Sequence, residues 1–284
     1  MRISVVIPAY NEEENLKELL PKVWTQVGQE AEVIVVDDAS TDNTARIARE
    51  HGALLIQNPY NMGNGASVKR GIREASYDNI ILMDADGQHL PEEIPKLIKE
   101  FEGVDMVIGQ RGKDAQRWWR RFANSIYNAL ASYVSGVPIL DLTSGFRMLK
   151  KSKAVNFLHM FPNTFSYPST ITLAFVKAAY PIKFVPVKVL PRKKGKSKIN
   201  LLTDGGRFFV IIMRISVFFS PLKIFLPVSL IFFLTGVLYY LYTFITQHRF
   251  TNMSVLLIST SVVIFMLGLV SEQIASLRME RKDG

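Results

Sequence analysis

Five short, mainly apolar and largely β-branched segments alternate with helical patterns in the first 110 residues, and this alternation constrains the fold most. The predicted strands are Ile3–Ile7, Glu32–Val36, Ala53–Ile56, Asn79–Met83 and Asp105–Ile108. The predicted helices between them lie near Glu13–Val27, Thr41–His51, Gly65–Ala75 and Pro91–Phe101. Strands that alternate with helices form a mostly parallel, doubly wound sheet. The sequence therefore predicts an α/β domain.

The pattern changes after Ile108. The sequence predicts a polar loop at Gly109–Lys113 and a long helix from Arg117 to about Ser135. A further helix is predicted at Ser166–Ala179 and a strand at Ile182–Val189.

Acidic side chains follow three of the predicted strands at the point where each strand ends. Glu12 follows the first strand, Asp37-Asp38 the second, and the Asp84–His89 segment (D-A-D-G-Q-H) the fourth. Because ligands bind at the carboxyl ends of strands in such sheets, we expect these groups to converge on one site. Within that segment, two carboxylates and an amide offer the oxygen ligands that Mg²⁺ or Mn²⁺ prefers; these are Asp84, Asp86 and Gln88. A lone D-x-D pattern also occurs in solvated loops, so the prediction of a metal site depends on the convergence.

The segment after the second strand has two interpretations. Asp38 either accepts hydrogen bonds from a nucleobase or supports the turn itself. Ser40 or Thr41 is predicted to cap the following helix. The glycine-rich Asn61–Gly65 lacks the Lys-Ser/Thr of a P-loop, and it predicts a tight turn into a helix near the ligand edge.

Two uncharged stretches near the carboxyl terminus are each long enough to cross a bilayer. Ile224–Thr246 has 23 residues and Phe250–Ser271 has 22, whereas a spanning helix needs about 20. The alternative is a buried helical hairpin in a soluble core.

The net charge of +9 is explained by basic residues that flank these stretches rather than by nucleic-acid binding. Basic residues precede the first stretch and follow the second, while the intervening loop holds only Arg249, with His248. This asymmetry predicts that both termini and the α/β domain are cytoplasmic. The absence of cysteine excludes disulfides and cysteine-based metal or redox sites. The flanking residues are Arg207, Arg214, Lys223, Arg278, Arg281 and Lys282.

Two basic segments precede the first stretch. Arg192–Lys198 has five cations in seven residues, and it is either a phosphate-binding segment or a solvated loop. Arg207 and Arg214 are seven residues apart on an otherwise apolar helix, a pattern typical of a helix in the membrane interface. We therefore predict a cytosolic domain over residues 1–202, an interfacial helix over 203–221, two transmembrane helices over 222–272 and a tail over 273–284.

Several of these segments together resemble family 2 glycosyltransferases of the GT-A fold. The resemblance rests on Val5–Glu12, Val35–Asp42 and Met83–His89. Ser144-Gly145-Phe146, the basic segment and the terminal hairpin narrow it to polyprenyl-phosphate glycosyltransferases, such as dolichol-phosphate mannose synthases and bacterial undecaprenyl-phosphate glycosyltransferases.

The resemblance implies a role for each site residue. Asp84 would lie near the ribose and the metal, Asp86 and Gln88 would ligate Mg²⁺ or Mn²⁺, and Arg111 would contact the donor phosphates. Asp141 would be the base if there is one, and otherwise it would structure its loop. The nucleotide base and ribose would be held by Pro8, Tyr10, Glu12 and Asp38. The lipid phosphate would be held by Arg120, Arg192, Lys194 and Lys198.

The reaction implied is inverting transfer of a sugar from a UDP- or GDP-linked donor to a polyprenyl phosphate at a membrane. The acceptor would be undecaprenyl or dolichyl phosphate. The resemblance does not identify the sugar, the nucleotide of the donor or the oligomeric state. The alternatives are another membrane glycolipid acceptor, or a non-catalytic membrane-anchored domain that binds nucleotide or resembles a receiver domain.

Overall fold

The computed structural model describes residues 1–112, 118–163, 167–190, 217, 219–249 and 251–280, without the side chains of 118–123 and 278–280. The chain divides into two compact units. The first unit comprises residues 1–132 and 137–198, and the second comprises residues 133–136 and 199–284.

The first unit is built on a seven-stranded mixed sheet in the order β3-β2-β1-β4-β6-β5-β7. β6 runs antiparallel to its neighbours β4 and β5, and the other pairs are parallel. The predicted mostly parallel α/β sheet is therefore confirmed. The strands are β1 (Ile3–Ala9), β2 (Glu32–Asp37), β3 (Leu54–Gln57), β4 (Asn79–Leu82), β5 (Met106–Arg111), β6 (Arg147–Lys150) and β7 (Ile182–Val187).

Helices cover both faces of the sheet, because the strands are apolar on both faces. Val5 and Ile7 of β1 share a core cluster with Leu16 and Leu20 of the first helix. Val6 points the other way, against the third helix. The helices are α1 (Glu13–Val27), α2 (Thr44–Glu50), α3 (Asn64–Glu74), α4 (Ile94–Lys99), α5 (Trp118–Ser135), α6 (Lys151–Ala154) and α7 (Tyr167–Lys177), with 3₁₀ turns at Pro91–Glu93 and Val155–Met160.

Close packing of α3 on β1 and β2 depends on Gly71. A Cβ atom at this position would lie 3.1 Å from Val36 Cγ2 and nearer still to Val6 Cγ1. Overpacking of this kind typically costs about 1–3 kcal/mol.

The structure corrects the sequence prediction around β5 and β6. Gly109–Lys113 was predicted as a loop, but β5 continues through Arg111, which pairs with Val187 of β7. The Gly109 amide also donates to Phe146 O at 2.9 Å. The prediction was wrong because long-range pairing overrides the local polarity of this segment.

The second unit contains two long helices, Leu222–Gln247 and Asn252–Glu280, called here the first and second hairpin helices. Only 11% and 17% of their most apolar stretches are buried. They are therefore not the buried core of a soluble domain, which was the alternative interpretation. Both are long and apolar enough to cross a membrane.

Small side chains let the two hairpin helices approach closely. A Cβ atom on Gly236 would lie 2.9 Å from Ile258 Cγ1, and Ser229 Oγ donates to Ser261 O at 2.8 Å. Small residues and hydroxyl groups serve the same purpose in other membrane helix pairs.

Charged groups lie where the first hairpin helix begins. The Leu222 amide donates to Glu272 Oε2 at 3.0 Å, which caps a helix start. Lys223 Nζ donates to the carbonyls of Tyr133 and Val134 at 3.0 and 2.9 Å, at the carboxyl end of α5. A lysine in this position stabilises terminal carbonyls.

The predicted interfacial helix, 203–221, lies almost entirely outside the described residues. Its placement, and the other predicted domain boundaries, stay predictions.

Candidate functional site

The candidate site lies at the carboxyl ends of β1, β2 and β4. β1 pairs in parallel with β2 through Ala9 and Asp37, and with β4 through Val6 and Leu82. The loops that follow these strands therefore share one edge of the sheet, as the sequence predicted. Of the predicted nucleotide-binding residues, Pro8 lies in β1, and Tyr10 follows it with 46% of its surface exposed.

The loops after β1 and β2 are joined by reciprocal hydrogen bonds. The Asn11 amide donates to Ser40 Oγ at 2.9 Å, and the Thr41 amide donates to Asn11 Oδ1 at 2.8 Å. The Glu12 amide donates to Thr44 Oγ1 at 2.9 Å. This network holds Tyr10 and Glu12 in place at the edge.

The same network explains why the predicted helix cap was wrong. α2 begins at Thr44, after Asn43, and its cap position makes no side-chain hydrogen bond. Ser40 and Thr41 instead bind the loop after β1, so long-range contacts replace the local capping contact.

Asp38 supports a turn in the structure. Its buried carboxylate accepts hydrogen bonds from Asn58 Nδ2 at 2.7 Å and from the amides of Met62 and Gly63 at 2.8 Å. It thereby fixes the glycine-rich segment before α3. A contact between Asp38 and a nucleobase stays a prediction.

Asp84–His89, called here the acidic loop, makes a compact turn after β4. Gly87 adopts a φ of 71°, which favours glycine. The Gln88 amide donates to Asp86 Oδ1 at 3.1 Å, and the Asp84 amide donates to His89 Nδ1 at 3.3 Å. Both aspartates are partly exposed at the edge.

His89 has a structural part in this loop that the sequence did not reveal. It is buried, and its ring stacks on Phe146 with centroids 5.2 Å apart and planes inclined by 22°. Burial lowers the pKa of His89 to about 4, so the imidazole is neutral at physiological pH. Its Nδ1 atom then accepts the Asp84 amide.

The acidic loop fits a divalent cation that takes the rest of its ligands from a bound molecule. Asp84, Asp86 and Gln88 are partly exposed oxygen donors on one short segment. Within the part of the chain that the structure describes, no group of three or more His, Cys, Asp and Glu residues could hold a metal alone. Mg²⁺ sites in proteins often use one or two carboxylates together with substrate phosphates.

Arg111 and Asp141 form a bidentate pair beside this edge. Arg111 Nε donates to Asp141 Oδ2 at 2.9 Å and Nη2 donates to Oδ1 at 2.8 Å, while the Arg111 amide donates to Oδ2 at 3.1 Å. Arg111 also donates to Thr143 Oγ1. Asp141 therefore anchors the segment before β6 to the end of β5, as in the loop-structuring interpretation. Its role as a base stays a prediction.

The sequence assigned no role to Arg147, which follows Ser144-Gly145-Phe146, because a charged residue in a four-residue strand gives no periodic signal. It is fully buried, and its Nη1 atom donates to Pro168 O and Thr172 Oγ1, both at 3.1 Å. Its Nη2 atom donates to Ser144 O. Burial lowers the pKa of Arg147 to about 10, so it stays charged at neutral pH. The buried Ser144 hydroxyl has no hydrogen-bond partner among the described residues.

The described residues just before the predicted basic segment contact the acidic loop. The Leu190 amide donates to Gln88 O at 2.9 Å, and Val189 pairs antiparallel with His89. Leu190 is the last described residue before the segment. Four predicted lipid-phosphate ligands lie outside the described residues or have side chains that are not described; these are Arg120, Arg192, Lys194 and Lys198.

Two curated relatives match more than half of the chain. The chain is 32% identical over 212 residues to undecaprenyl-phosphate 4-deoxy-4-formamido-L-arabinose transferase of Edwardsiella ictaluri (strain 93-146), which covers 70% of this chain and 63% of the relative. It is 35% identical to the transferase of the same name from Proteus mirabilis (strain HI4320), over 58% of this chain and 56% of the relative. The chain thus spans less than two thirds of the length of these relatives.

Solved structures share this fold over about three quarters of the chain. Glucosyl-3-phosphoglycerate synthase from Mycobacterium tuberculosis in complex with Mn²⁺, UDP and phosphoglyceric acid aligns with a TM-score of 0.60 and 20% identity, over 76% of this chain and 78% of that chain. Its complex with Mn²⁺, UDP-glucose and phosphoglyceric acid gives a TM-score of 0.59. The likeness confirms the predicted GT-A fold class.

Two family descriptions match the chain. Residues 220–277 match the GtrB C-terminal hairpin, which covers both hairpin helices. Residues 4–158, more than half of the chain, match glycosyl transferase family 2. The chain therefore belongs to glycosyl transferase family 2.

Proposed function

We propose that this chain transfers a sugar from a UDP- or GDP-linked donor to a polyprenyl phosphate, with inversion at the anomeric carbon. One observation carries the proposal: the acidic loop is hydrogen-bonded, through Gln88 and Leu190, to the strand end that leads into the basic segment. The proposed cation ligands are thus hydrogen-bonded to the last described residue before the proposed phosphate ligands.

The donor half of the proposed site is the acidic edge. Asp84, Asp86 and Gln88 would hold Mg²⁺ or Mn²⁺, and a bound metal would neutralise the leaving diphosphate. Arg111 would contact the donor phosphates, with Asp141 holding its guanidinium in place. Because Nε and Nη2 of Arg111 donate to Asp141 and Thr143, a phosphate would be bound through Nη1. Mn²⁺ and UDP bound to solved structures of this fold support the assignment.

The base and ribose would lie against the loop after β1. Pro8, Tyr10 and Glu12 are placed there by the bonds between that loop and the loop after β2. Asp38 would act through the glycine-rich segment that it holds, whether or not it also contacts the base.

The acceptor half would be the basic segment, which precedes the hairpin in the sequence. Arg192, Lys194 and Lys198, with Arg120, would bind the lipid phosphate. The names of the two curated relatives support an undecaprenyl-phosphate acceptor. The hairpin match supports a membrane-bound one.

The chemistry requires little base catalysis. A phosphate monoester has a second pKa of about 6, so the acceptor is already an anionic nucleophile at neutral pH. The main requirement is to hold two anions together against their repulsion, which clustered cations and a metal provide. Asp141 then contributes by holding the Arg111 guanidinium in place, and not by accepting a proton from the acceptor. In-line attack inverts the anomeric centre, so an α-linked donor gives a β-linked product.

The experiment that tests the proposal is turnover of radiolabelled undecaprenyl and dolichyl phosphate by purified protein in detergent, with a panel of UDP- and GDP-sugars. We expect one donor to give a polyprenyl-phosphate-linked monosaccharide. Transfer only to another membrane glycolipid would overturn the acceptor assignment, and absence of transfer with every donor and acceptor would overturn the proposal.

The membrane orientation is also a proposal. The excess of Lys and Arg outside the 248–251 connection supports cytoplasmic termini and a cytoplasmic first unit. This orientation would expose the acidic edge to cytosolic nucleotide sugars.

The metal assignment predicts the effect of Asp86→Asn. Loss of one charged ligand should weaken metal binding and lower turnover roughly 100-fold at limiting Mn²⁺, with an unchanged melting temperature because Asp86 is partly exposed. Glu102→Gln is the matched control, since Glu102 is exposed before the amino end of β5. Wild-type turnover by folded Asp86→Asn protein would exclude Asp86 as a metal ligand.

The Arg111–Asp141 pair predicts a stability effect. Asp141→Asn removes the charge from a bidentate pair, so the free energy of unfolding should fall by about 1–3 kcal/mol. In a double-mutant cycle with Arg111→Lys, the losses of stability and turnover should be strongly non-additive. Wild-type stability, together with a loss of turnover that is independent of Arg111, would instead show that Asp141 is a base.

The orientation predicts a labelling pattern in a chain that has no cysteine of its own. Asn252→Cys should react with an impermeant thiol reagent added outside intact cells, whereas Asp283→Cys should react only after permeabilisation. The reverse pattern would place the acidic edge away from the cytosol.

The basic segment predicts a selective loss of acceptor binding. Lys194→Glu with Lys198→Glu should raise the apparent KM for polyprenyl phosphate by about tenfold or more, because each reversed charge repels the phosphate. Donor affinity should be nearly unchanged. The control is Lys22→Glu with Lys99→Glu, which reverses two exposed charges on α1 and α4. Loss of donor affinity with normal lipid affinity would show that the two ends of the site are reversed.

A further inference from the structure

We propose that Ser144–Arg147, called here the support segment, positions the acidic loop for metal binding. The proposal rests on the metal site proposed above and adds to it residues that do not themselves touch the metal. Three successive residues of the support segment each fix a different part of the acidic loop or of its surroundings.

Gly145 leaves the space that the Asp84 carboxylate occupies. A Cβ atom at Gly145 would lie 2.5 Å from Asp84 Oδ2 and 3.3 Å from Asp84 Cγ. The backbone of the support segment therefore lies directly against this carboxylate. Any larger residue at position 145 would displace Asp84 or the segment itself.

Phe146 fixes the other end of the acidic loop. Its ring is 1% exposed and stacks on His89, and His89 Nδ1 accepts the Asp84 amide at 3.3 Å. A hydrogen bond between Asp84 and His89, the first and last residues of the acidic loop, thus closes the loop. Phe146 supports this bond by stacking on His89. The Phe146 carbonyl also accepts the Gly109 amide, which ties the segment to β5.

Arg147 anchors the support segment itself. In the sheet it pairs with Leu82 of β4 and with Ile108 of β5. Its guanidinium binds Ser144 O on one side, and Pro168 O and Thr172 Oγ1 of α7 on the other. Asp84 and Asp141 act on it electrostatically and offset part of the cost of burying its charge.

These contacts make Gly145 and Phe146 positioning residues. Gly145 lies against the Asp84 carboxylate, and the His89–Phe146 stack supports the hydrogen bond of the Asp84 amide. Changes to residues that orient metal ligands typically lower metal affinity by 10–100-fold. A residue that serves only the fold would lower stability without changing the metal affinity of the folded protein.

The test is a Mn²⁺ titration of full-length protein in detergent, followed by the electron paramagnetic resonance signal of free Mn²⁺, alone and with UDP or GDP. Gly145→Ala should raise the apparent Kd for Mn²⁺ by about 10–100-fold. Phe146→Leu, which keeps an apolar side chain, should also raise the apparent Kd for Mn²⁺. This second variant provides the test if Gly145→Ala fails to fold. For both variants, high Mn²⁺ should recover much of the lost turnover.

Gly71→Ala is the matched control. It also crowds a close contact, against Val6 and Val36, but on the α3 side of β1 and β2. It should lower the melting temperature and leave the Mn²⁺ affinity of the folded protein unchanged.

Wild-type Mn²⁺ affinity in folded Gly145→Ala or, where that variant does not fold, in Phe146→Leu would overturn this inference and leave the proposed function standing. If wild-type protein binds no Mn²⁺ with or without nucleotide, the proposed metal site fails and the inference fails with it.

Discussion

The parallel pairing of β1 with β2 and β4 is the constraint on which the candidate site depends. The register that joins Ala9 to Asp37 and Val6 to Leu82 sends three loops to one edge of the sheet. A one-residue shift would turn alternate side chains to the opposite face. Packing shape opposes such a shift in β1, because Val6 lies against Gly71 of α3, where a Cβ atom would not fit, while Val5 and Ile7 lie in the core cluster on the other face.

The edge built in this way holds acidic groups among counter-charges that are themselves fixed. The counter-charges are Arg111, which is paired with Asp141, and the buried Arg147, which acts electrostatically on Asp84, whereas the buried His89 imidazole is neutral. Partly exposed Asp84 and Asp86 are left facing the edge. If these side chains bind a cation and an anionic donor as proposed, they are in place beforehand and binding requires little reorganisation.

The sequence predicted the periodic parts of the fold well and the site only in part. α1 has the predicted limits, since its apolar residues repeat at helical spacing and are buried on one face. The convergence of the strand ends also followed from alternation alone. β6 and Arg147 could not be predicted, because a strand with two charged residues out of four is specified by its neighbours β4 and β5.

Polar loop residues gave ambiguous signals for a different reason. Ser40 and Thr41 have the composition of a helix cap, yet their partners lie about 30 residues away in the chain. Asp38 and Asp141 each have chemistry suited to a ligand or a base, and the structure shows both engaged with protein donors. The residue type determines which hydrogen bonds a side chain can make, whereas the fold determines which partners lie within reach.

The central claim is that the acidic loop binds a metal-bound nucleotide diphosphate. The most direct measurement is anomalous scattering from crystals grown with Mn²⁺ and UDP or GDP, with data collected at the manganese absorption edge. The account predicts a single strong peak within coordinating distance of Asp86, beside Asp84 and the nucleotide diphosphate. Nucleotide bound at this edge without such a peak, or a peak held by other residues, would contradict it.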